Sequence, residues 1–237
     1  SAHYRCHGAI AGYCNDSFYR KTLRIRTNHE GLVAPRRNGS AWQGCRWTHV
    51  KGDAIAAHHG SYSPNQITAI SEELSRLKDE RFRGTVGVVT PFANQANRIR
   101  DRVHGELDPD LLSRWKFHVD TADGFQGDER DLILFSLVGS SDMPQGSLWF
   151  YQSNKNRFNV AASRARALLH VFGDEHWAAT CGISYIKALL EACHTQKEAD
   201  TRVTRSDLIG PVWEPRLRDA LGAAGIDFLQ QYEACGF

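Results

Sequence analysis

Three observations predict an α/β fold, a parallel sheet flanked by helices on both faces. Three short segments, Val86 to Val89, Leu132 to Val138 and Ala167 to Phe172, are apolar throughout rather than alternating, as strands buried on both faces are. Between them lie segments whose apolar residues recur at helical spacing. The third observation is composition: 237 residues, 41% hydrophobic and 24% charged, match an ordinary globular chain with room for a sizeable core. No run of 18 or more apolar residues is present to span a membrane.

The elements follow in order. Trp42 to Lys51 is read as an added strand, and Arg36-Arg37-Asn38-Gly39 as an exposed basic loop. Ser63-Pro64-Asn65-Gln66 predicts a helix start, with Ser63 as N-cap, Pro64 at the first helical position and Gln66 closing a capping box. Ile67, Ile70, Leu74 and Leu77 then share one face, and Gly84 is expected to end the helix. After the strand at 86–89, Pro91 leads into a second amphipathic helix with Phe92, Ala96, Ile99 and Val103 inward. Its outer face carries Arg98, Arg100 and Arg102, read as a solvated face in preference to a nucleic-acid contact. Phe117-His118-Val119 is a weaker strand. Residues 139–150, rich in Gly, Ser and Pro, read as a loop, with a helix over 154–164. Ile183, Ile186, Leu190 and Cys193 mark one more helix, Thr195 to Asp207 a polar linker, and Trp213, Leu217 and Leu221 the start of something new. The α/β pattern thus fills roughly residues 20–180.

Charge and cysteine usage narrow the setting. Residues 1–60 hold nine Lys and Arg against three acids, in a chain whose net charge is only +2; a basic flank of this kind favours a polyanionic partner. The six scattered cysteines point to reduced cytoplasmic thiols rather than a disulfide framework, and the N-terminus shows no signal-peptide pattern. A cytoplasmic location without a membrane partner is expected. The only methionine is Met143, so Ser1 is expected not to be a translation start and the chain to be a processed or excised piece.

Three segments concentrate polar residues at the ends of expected strands, where open α/β sheets bind ligands. They are Val88-Val89-Thr90-Pro91-Phe92-Ala93-Asn94-Gln95, then Asp120-Thr121-Ala122-Asp123-Gly124-Phe125-Gln126-Gly127-Asp128-Glu129-Arg130-Asp131, and Phe158-Asn159-Val160-Ala161-Ala162-Ser163-Arg164-Ala165-Arg166. Singly each is modest: Thr90-Pro91 could simply stop a strand, and a Gln-Gly-x-Glu loop is often only a turn. In this order they resemble motifs IV, V and VI of superfamily 1 helicases, in the 1B branch that includes the nonsense-decay RNA helicases and related DNA helicases. His3-Tyr4-Arg5-Cys6-His7 with Phe18-Tyr19 is similar to that family's Y-R-x-H-P segment and trailing F-Y, with Gly8 where Pro is usual. The resemblance covers about residues 3–178 and implies the second RecA-like domain of such a helicase, a P-loop NTPase fold, over residues 1–180.

The resemblance also implies roles. Phosphoryl transfer needs positive charge where the γ-phosphate's negative charge sits in the transition state. Arg164 matches the motif VI arginine finger and Arg5 a second catalytic arginine; such a finger contributes about 10³–10⁵ in rate, roughly 4–7 kcal/mol of barrier. Tyr4 would stack on the adenine, Gly127 and Glu129 would lie at the nucleotide, with the carboxylate accepting from ribose hydroxyls, and Gln126 would couple the two ligands. Thr90, Pro91 and Thr121 match the single-strand track, where hydroxyls and backbone N–H groups grip phosphates. The implied ligands are ATP, Mg²⁺ and single-stranded DNA or RNA.

A P-loop of the form G-x-x-x-x-G-K-[ST], which cradles the phosphates and helps hold Mg²⁺, does not occur in the sequence. The family carries it in an upstream RecA-like domain, so that domain is the expected partner, and the chain alone is expected not to hydrolyse ATP. Residues 181–210 are expected to be a helix and linker. Residues 211–237, from Trp213-Glu214-Pro215-Arg216-Leu217 to Gln231-Tyr232, resemble the truncated opening of a very-short-patch-repair-type restriction-endonuclease-like domain. Glu214 would be its metal-binding carboxylate only if the domain were completed; an amphipathic helix anchored by Trp213 reads equally well. Two rival classes stand beside the helicase. One is a zinc protein using Cys6, His7, Cys14, Cys45, His49, His58 and His59, which lacks a paired C-x-x-C. The other is a catalytically inert RecA-like scaffold that binds nucleic acid.

Overall fold

In a computed structural model, which describes residues 2–3, 6–25, 31–37, 39–58, 60–125 and 127–200, the elements run as follows: β1 (Ala2–His3), α1 (Gly8–Phe18), β2 (Arg24–Ile25), β3 (Arg36–Arg37), β4 (Ser40–Ala41), β5 (Gly44–His49), α2 (Pro64–Asp79), β6 (Val86–Thr90), α3 (Ala93–Glu106), α4 (Pro109–Arg114), β7 (His118–Thr121), β8 (Arg130–Ser136), α5 (Gln145–Ser153), α6 (Lys155–Ser163), β9 (Ala165–Gly173) and α7 (Glu175–Thr180). Residues 184–200 are helical. Five strands form one parallel sheet in the order β5-β9-β8-β6-β7. The short strands pair separately, β1 with β2 and β3 with β4. The chain divides into two units, Ser1–Gln196 and Lys197–Phe237, and of the second only residues 197–200 are described. Tyr4, Arg5, Gln126, Glu214 and the whole 211–237 segment lie outside the described residues.

The unbroken apolar strands are explained by two cores, one on each face. Along β6, β8 and β9, Val86, Val88, Leu132, Leu134, Leu168 and Phe172 point to the core under α2, α3 and α4. Their neighbours Val89, Ile133, Phe135, Leu169 and Val171 point to the core under α1, α5, α6 and the last helix. With a two-residue side-chain period, a strand covered on both sides has no solvent face for a polar residue. The sheet with helices on both faces is the RecA-like α/β architecture. Among the described residues no helix is long and apolar enough to cross a membrane.

Several local expectations are corrected. Ser63 caps α2, its hydroxyl accepting from Gln66 N at 3.2 Å with Pro64 next, but the capping box is only half formed. The Ser63 N–H donates instead to Gln95 Oε1 at 2.9 Å, and Gln66 Oε1 accepts from Ser136 Oγ and Val138 N. Gln95 Nε2 also donates to Ser136 Oγ, so a buried amide network ties α2 and α3 to the end of β8. Gly84 does not end α2. Arg81 takes the left-handed turn, at φ 55°, while Phe82 N bonds Leu77 O and Arg81 N bonds Lys78 O, a Schellman closure.

The expected loop at 139–150 contains the start of α5, whose Tyr151 is buried beneath Trp177 and Phe158. The expected linker is helical as far as residue 200. Arg37 is no loop residue: it pairs with the buried Glu73 and with Glu80, and stacks 3.6 Å over Trp42. Arg98 and Arg102 are exposed and Arg100 half-buried, as on the expected solvated face, with hydrogen bonds to Asn94, Glu106 and Asn97, and Arg98 also covers the Tyr62 ring. The added strand over Trp42 to Lys51 is β5, at the sheet edge beside β9.

Candidate functional site

The three chemistry-bearing segments fall at two opposite ends of the sheet, not one. Thr90 closes β6 and Thr121 closes β7, and the two are paired in register, so the candidate track residues sit side by side at carboxyl ends. Glu129 and Arg164 are placed otherwise. Each immediately precedes one member of the pair Arg130↔Ala165, which opens β8 and β9. They are therefore neighbours at the amino ends, about one strand spacing (~5 Å) apart along the backbone. About six strand residues, roughly 20 Å, separate the two ends. The expectation of carboxyl-end placement holds for Thr90, Pro91 and Thr121 and fails for Gly127, Glu129 and Arg164.

Residues 122–129 connect the ends. A crossover between parallel strands ordinarily takes a dozen or more residues; this one is shorter because it crosses β6 without a helix. Phe125 is fully buried, and a Cβ on Gly87 of β6 would stand 2.9 Å from its ring. At Gly124 a Cβ would stand 2.1 Å from the Asp120 carboxylate, the partly exposed end of a flexible side chain that would have to turn aside. Gly127 follows at φ 86°, with open space where a side chain would be. Arg130 then pins the exit: its Nε donates to Lys116 O, and Nη1 pairs with Asp128. That hydrogen bond from Arg130, opposed by slight burial, holds the Asp128 carboxyl below the usual range.

At the amino ends, Arg164 caps α6 and its Nε donates to Val160 O at 3.1 Å. The Arg130 N–H donates to Arg164 O at 3.0 Å, locking α6 to β8. His7, which follows the candidate Tyr4-Arg5 pair in sequence, donates its N–H to Arg166 O at 2.7 Å and caps α1 by accepting from Ala9 N. Gly8 occupies the first helical position, where a proline would also fit. The segments resembling the family's N-terminal motif and motif VI touch directly: Asn159 Nδ2 donates to Tyr19 Oη at 2.8 Å. Cys6 is buried here, and that burial, with Cys45 and the Glu129 charge nearby, pushes its thiol up to about 12.

Thr90 is 0% exposed and its buried hydroxyl has no hydrogen-bond partner among the described residues. It lines a small cavity with Thr121, Phe135, Phe150, Arg157 and Phe158. Above it an open groove of about 590 Å³ runs past Pro91, Thr121, Asp123, Gly146, Phe150 and Arg157. Asp123, Phe150 and Arg157 were missed as site residues in the sequence, because reading 139–150 as a loop hid the helical wall that Phe150 provides. Arg157 carried a usable signal, two turns before Arg164 on the same helix.

A metal centre is not assembled: among the described residues no group of three or more His, Cys, Asp or Glu side chains suits a metal ion. Cys45 and His49 are four residues apart on the extended β5, about 13 Å of strand and too far to share one ion. For a nucleotide, the residues at the amino ends provide an arginine, a carboxylate and an open glycine turn. They fit the arginine side of an ATP site and not a phosphate cradle.

Comparison with known proteins finds helicases among the relatives of this chain. The chain is 29% identical over 147 residues to the DNA polymerase alpha-associated DNA helicase A of Saccharomyces cerevisiae, covering 62% of this chain and 20% of that protein. It is 25% identical over 211 residues to helicase sen1 of Schizosaccharomyces pombe, covering 84% of this chain and 12% of the relative. With human senataxin, a probable helicase, the identity is 27% over 188 residues, 73% of this chain and 7% of the relative. The chain thus spans a fifth or less of the length of these relatives. The AAA_12 family, described as an AAA domain, matches residues 1–176; with helicases as its relatives, the chain belongs to that family and is a superfamily 1 helicase domain.

Proposed function

We propose that the chain is the second motor domain of an ATP-dependent helicase or translocase on single-stranded DNA or RNA. Arg164, with Arg5, supplies positive charge to the γ-phosphate; Tyr4, Gln126, Gly127 and Glu129 contact the nucleotide; Thr90, Pro91 and Thr121 belong to the strand track. The observation that carries this reading is the sorting of the motifs. Of the described residues, Gly127, Glu129 and Arg164, assigned here to the nucleotide, precede or open β8 and β9 at their amino ends, Thr90 and Thr121, assigned to the strand, close β6 and β7 at their carboxyl ends, and one crossover joins the two. A motor needs this layout, because hydrolysis at one place has to change grip at another.

The chemistry assigned to this half is electrostatic. ATP brings the γ-phosphoryl group, and Mg²⁺ and the phosphate cradle come from an upstream RecA-like domain. Arginine suits the finger because its planar fork holds two phosphate oxygens and stays charged. The Arg164 side chain rests on a neutral carbonyl of its own helix, an acceptor that a phosphate readily replaces. Within residues 211–237, Glu214 remains a metal carboxylate only in a completed nuclease-like domain.

Strand-stimulated ATPase of the parent polypeptide, wild type beside Arg164→Ala, tests the reading. The expected outcome is a fall of about 10³ or more in the stimulated rate, with ATP still bound, and no hydrolysis by the 237-residue chain alone. An unchanged rate in the variant would refute the finger. A wild type that binds strand but never hydrolyses ATP would establish the inert scaffold instead.

A further inference from the structure

The groove at the carboxyl ends contains one arginine already engaged by an acid. Arg157 Nη2 lies 3.1 Å from Asp123 Oδ2, with the two side chains 45% and 60% exposed. The guanidinium stands over the Phe150 ring, 5.4 Å from its centroid. It lines both the open groove and the cavity holding the unpartnered Thr90 hydroxyl. An ion pair this exposed is weak in water, so an arriving phosphate with its own charge and two oxygens can displace the carboxylate. One turn along α5 from Gly146 of the groove wall is Trp149, 65% exposed. A large ring left in solvent on the helix that forms one wall of the groove is suited to stacking on a base.

Building on the reading that this groove takes a single strand, we propose that Arg157 is its phosphate grip, parked on Asp123 until a strand arrives, and that Trp149 is the stacking platform for an adjacent base. The strand exchanges the carboxylate for a phosphate at Arg157. Asp123, left unpaired, repels the backbone and disfavours weakly held polyanions. The acid therefore lowers affinity and sharpens the choice of ligand.

The test is fluorescence anisotropy of the 237-residue chain with labelled oligo-dT and oligo-U of about 20 nucleotides, a length exceeding one such site, across a salt series. Arg157→Ala should weaken binding about ten-fold and make the slope of log K against log salt shallower by about 0.7, the share of one phosphate on a single strand. Asp123→Asn should tighten binding several-fold, and the double variant should bind more weakly than Asp123→Asn alone. Trp149→Ala should weaken binding by about five-fold or more with the salt slope unchanged. All three side chains are exposed, and melting curves matching wild type confirm folding of each variant. Arg157→Ala or Trp149→Ala binding as wild type does, or Asp123→Asn failing to tighten, overturns this inference and leaves the motor reading intact. No binding by the wild type at any salt overturns both.

Discussion

Phe125 occupies the space that a side chain on Gly87 would fill, with its ring 2.9 Å from the position of a Cβ there. Ile133 Cδ1 stands at the same distance, so the crossover packs its ring beside Ile133 onto a β6 left bare at that point. Gly87→Ala should therefore cost about 1–3 kcal/mol by overpacking, read as a lower urea midpoint at constant m-value. Adding Phe125→Leu should recover part of that loss, although Phe125→Leu alone destabilises. Strictly additive losses in the double variant would show that the two residues do not share the space.

Arg81 offers a gain. It holds the left-handed position of the Schellman closure of α2 at φ 55°, and it is exposed. A non-glycine residue there is strained, whereas glycine adopts that conformation freely. Arg81→Gly should raise stability by about 0.5–1 kcal/mol, visible as a higher melting temperature. The closure between Phe82 and Leu77 should be preserved, so Phe82→Ala should remain as costly in the variant as in wild type.

The buried cluster under the β3–β4 hairpin predicts a pH dependence. His170 is fully buried between Trp42 and Phe172, its Nε2 2.7 Å from Thr48 Oγ1 and its Nδ1 3.6 Å from Glu73. Burial draws its pKa below the ordinary 6.5, against the pull of Glu73. In the unfolded chain His170 takes up a proton below about pH 6.5 and in the fold it resists, so stability is complete above that pH and falls as pH drops beneath it. Glu73 adds to the fall at lower pH. Burial works to raise its carboxyl, but His170 and Arg37 hold it below 4.5, so its contribution is lost as pH falls through the folded value. The melting temperature should drop from pH 7 to 5.5, and His170→Phe should abolish that drop. A drop of the same size in the variant would assign it elsewhere. Arg37→Ala, which leaves the buried Glu73 charge to the more distant Arg76, should cost about 1–3 kcal/mol.

The sequence made the sheet and most of its helices legible because burial on both faces writes itself as unbroken apolar strands, and amphipathic helices as a period. The helix end at Arg81 was illegible: left-handed strain in a charged residue has no sequence signal, and Gly84 drew the expectation instead. Gln66 read as a cap because its spacing from Ser63 is right, yet its amide was taken by Ser136 and Val138, partners distant in sequence. The same limit applies to the site. Motif residues such as Glu129 and Arg164 were readable one by one, but their adjacency depends on the Arg130↔Ala165 register. The groove wall of Phe150, and Trp149 next to it on the same helix, lay hidden in a Gly- and Ser-containing segment whose helix is held by tertiary burial of Tyr151.

Two ends of one sheet, about 20 Å apart, should also be separable by mutation. In the parent polypeptide, Thr121→Ala should weaken strand binding about five-fold, the loss of one hydrogen bond, and leave ATP affinity unchanged. Glu129→Gln should do the reverse. Coupling is a different quantity, the factor by which strand changes ATP affinity and ATP changes strand affinity, equal in both directions. Gly124→Ala perturbs the crossover, because the added Cβ has to push the Asp120 carboxylate aside, while both ends keep their own residues. It should bring the coupling factor towards one with each separate affinity within about two-fold of wild type, well inside the several-fold range typical of coupled sites. Were the coupling untouched, the signal would have to travel along α6, which carries Arg157 in its first turn and ends at Arg164, and Asn159→Ala, which frees that helix from Tyr19, would become the variant that weakens it.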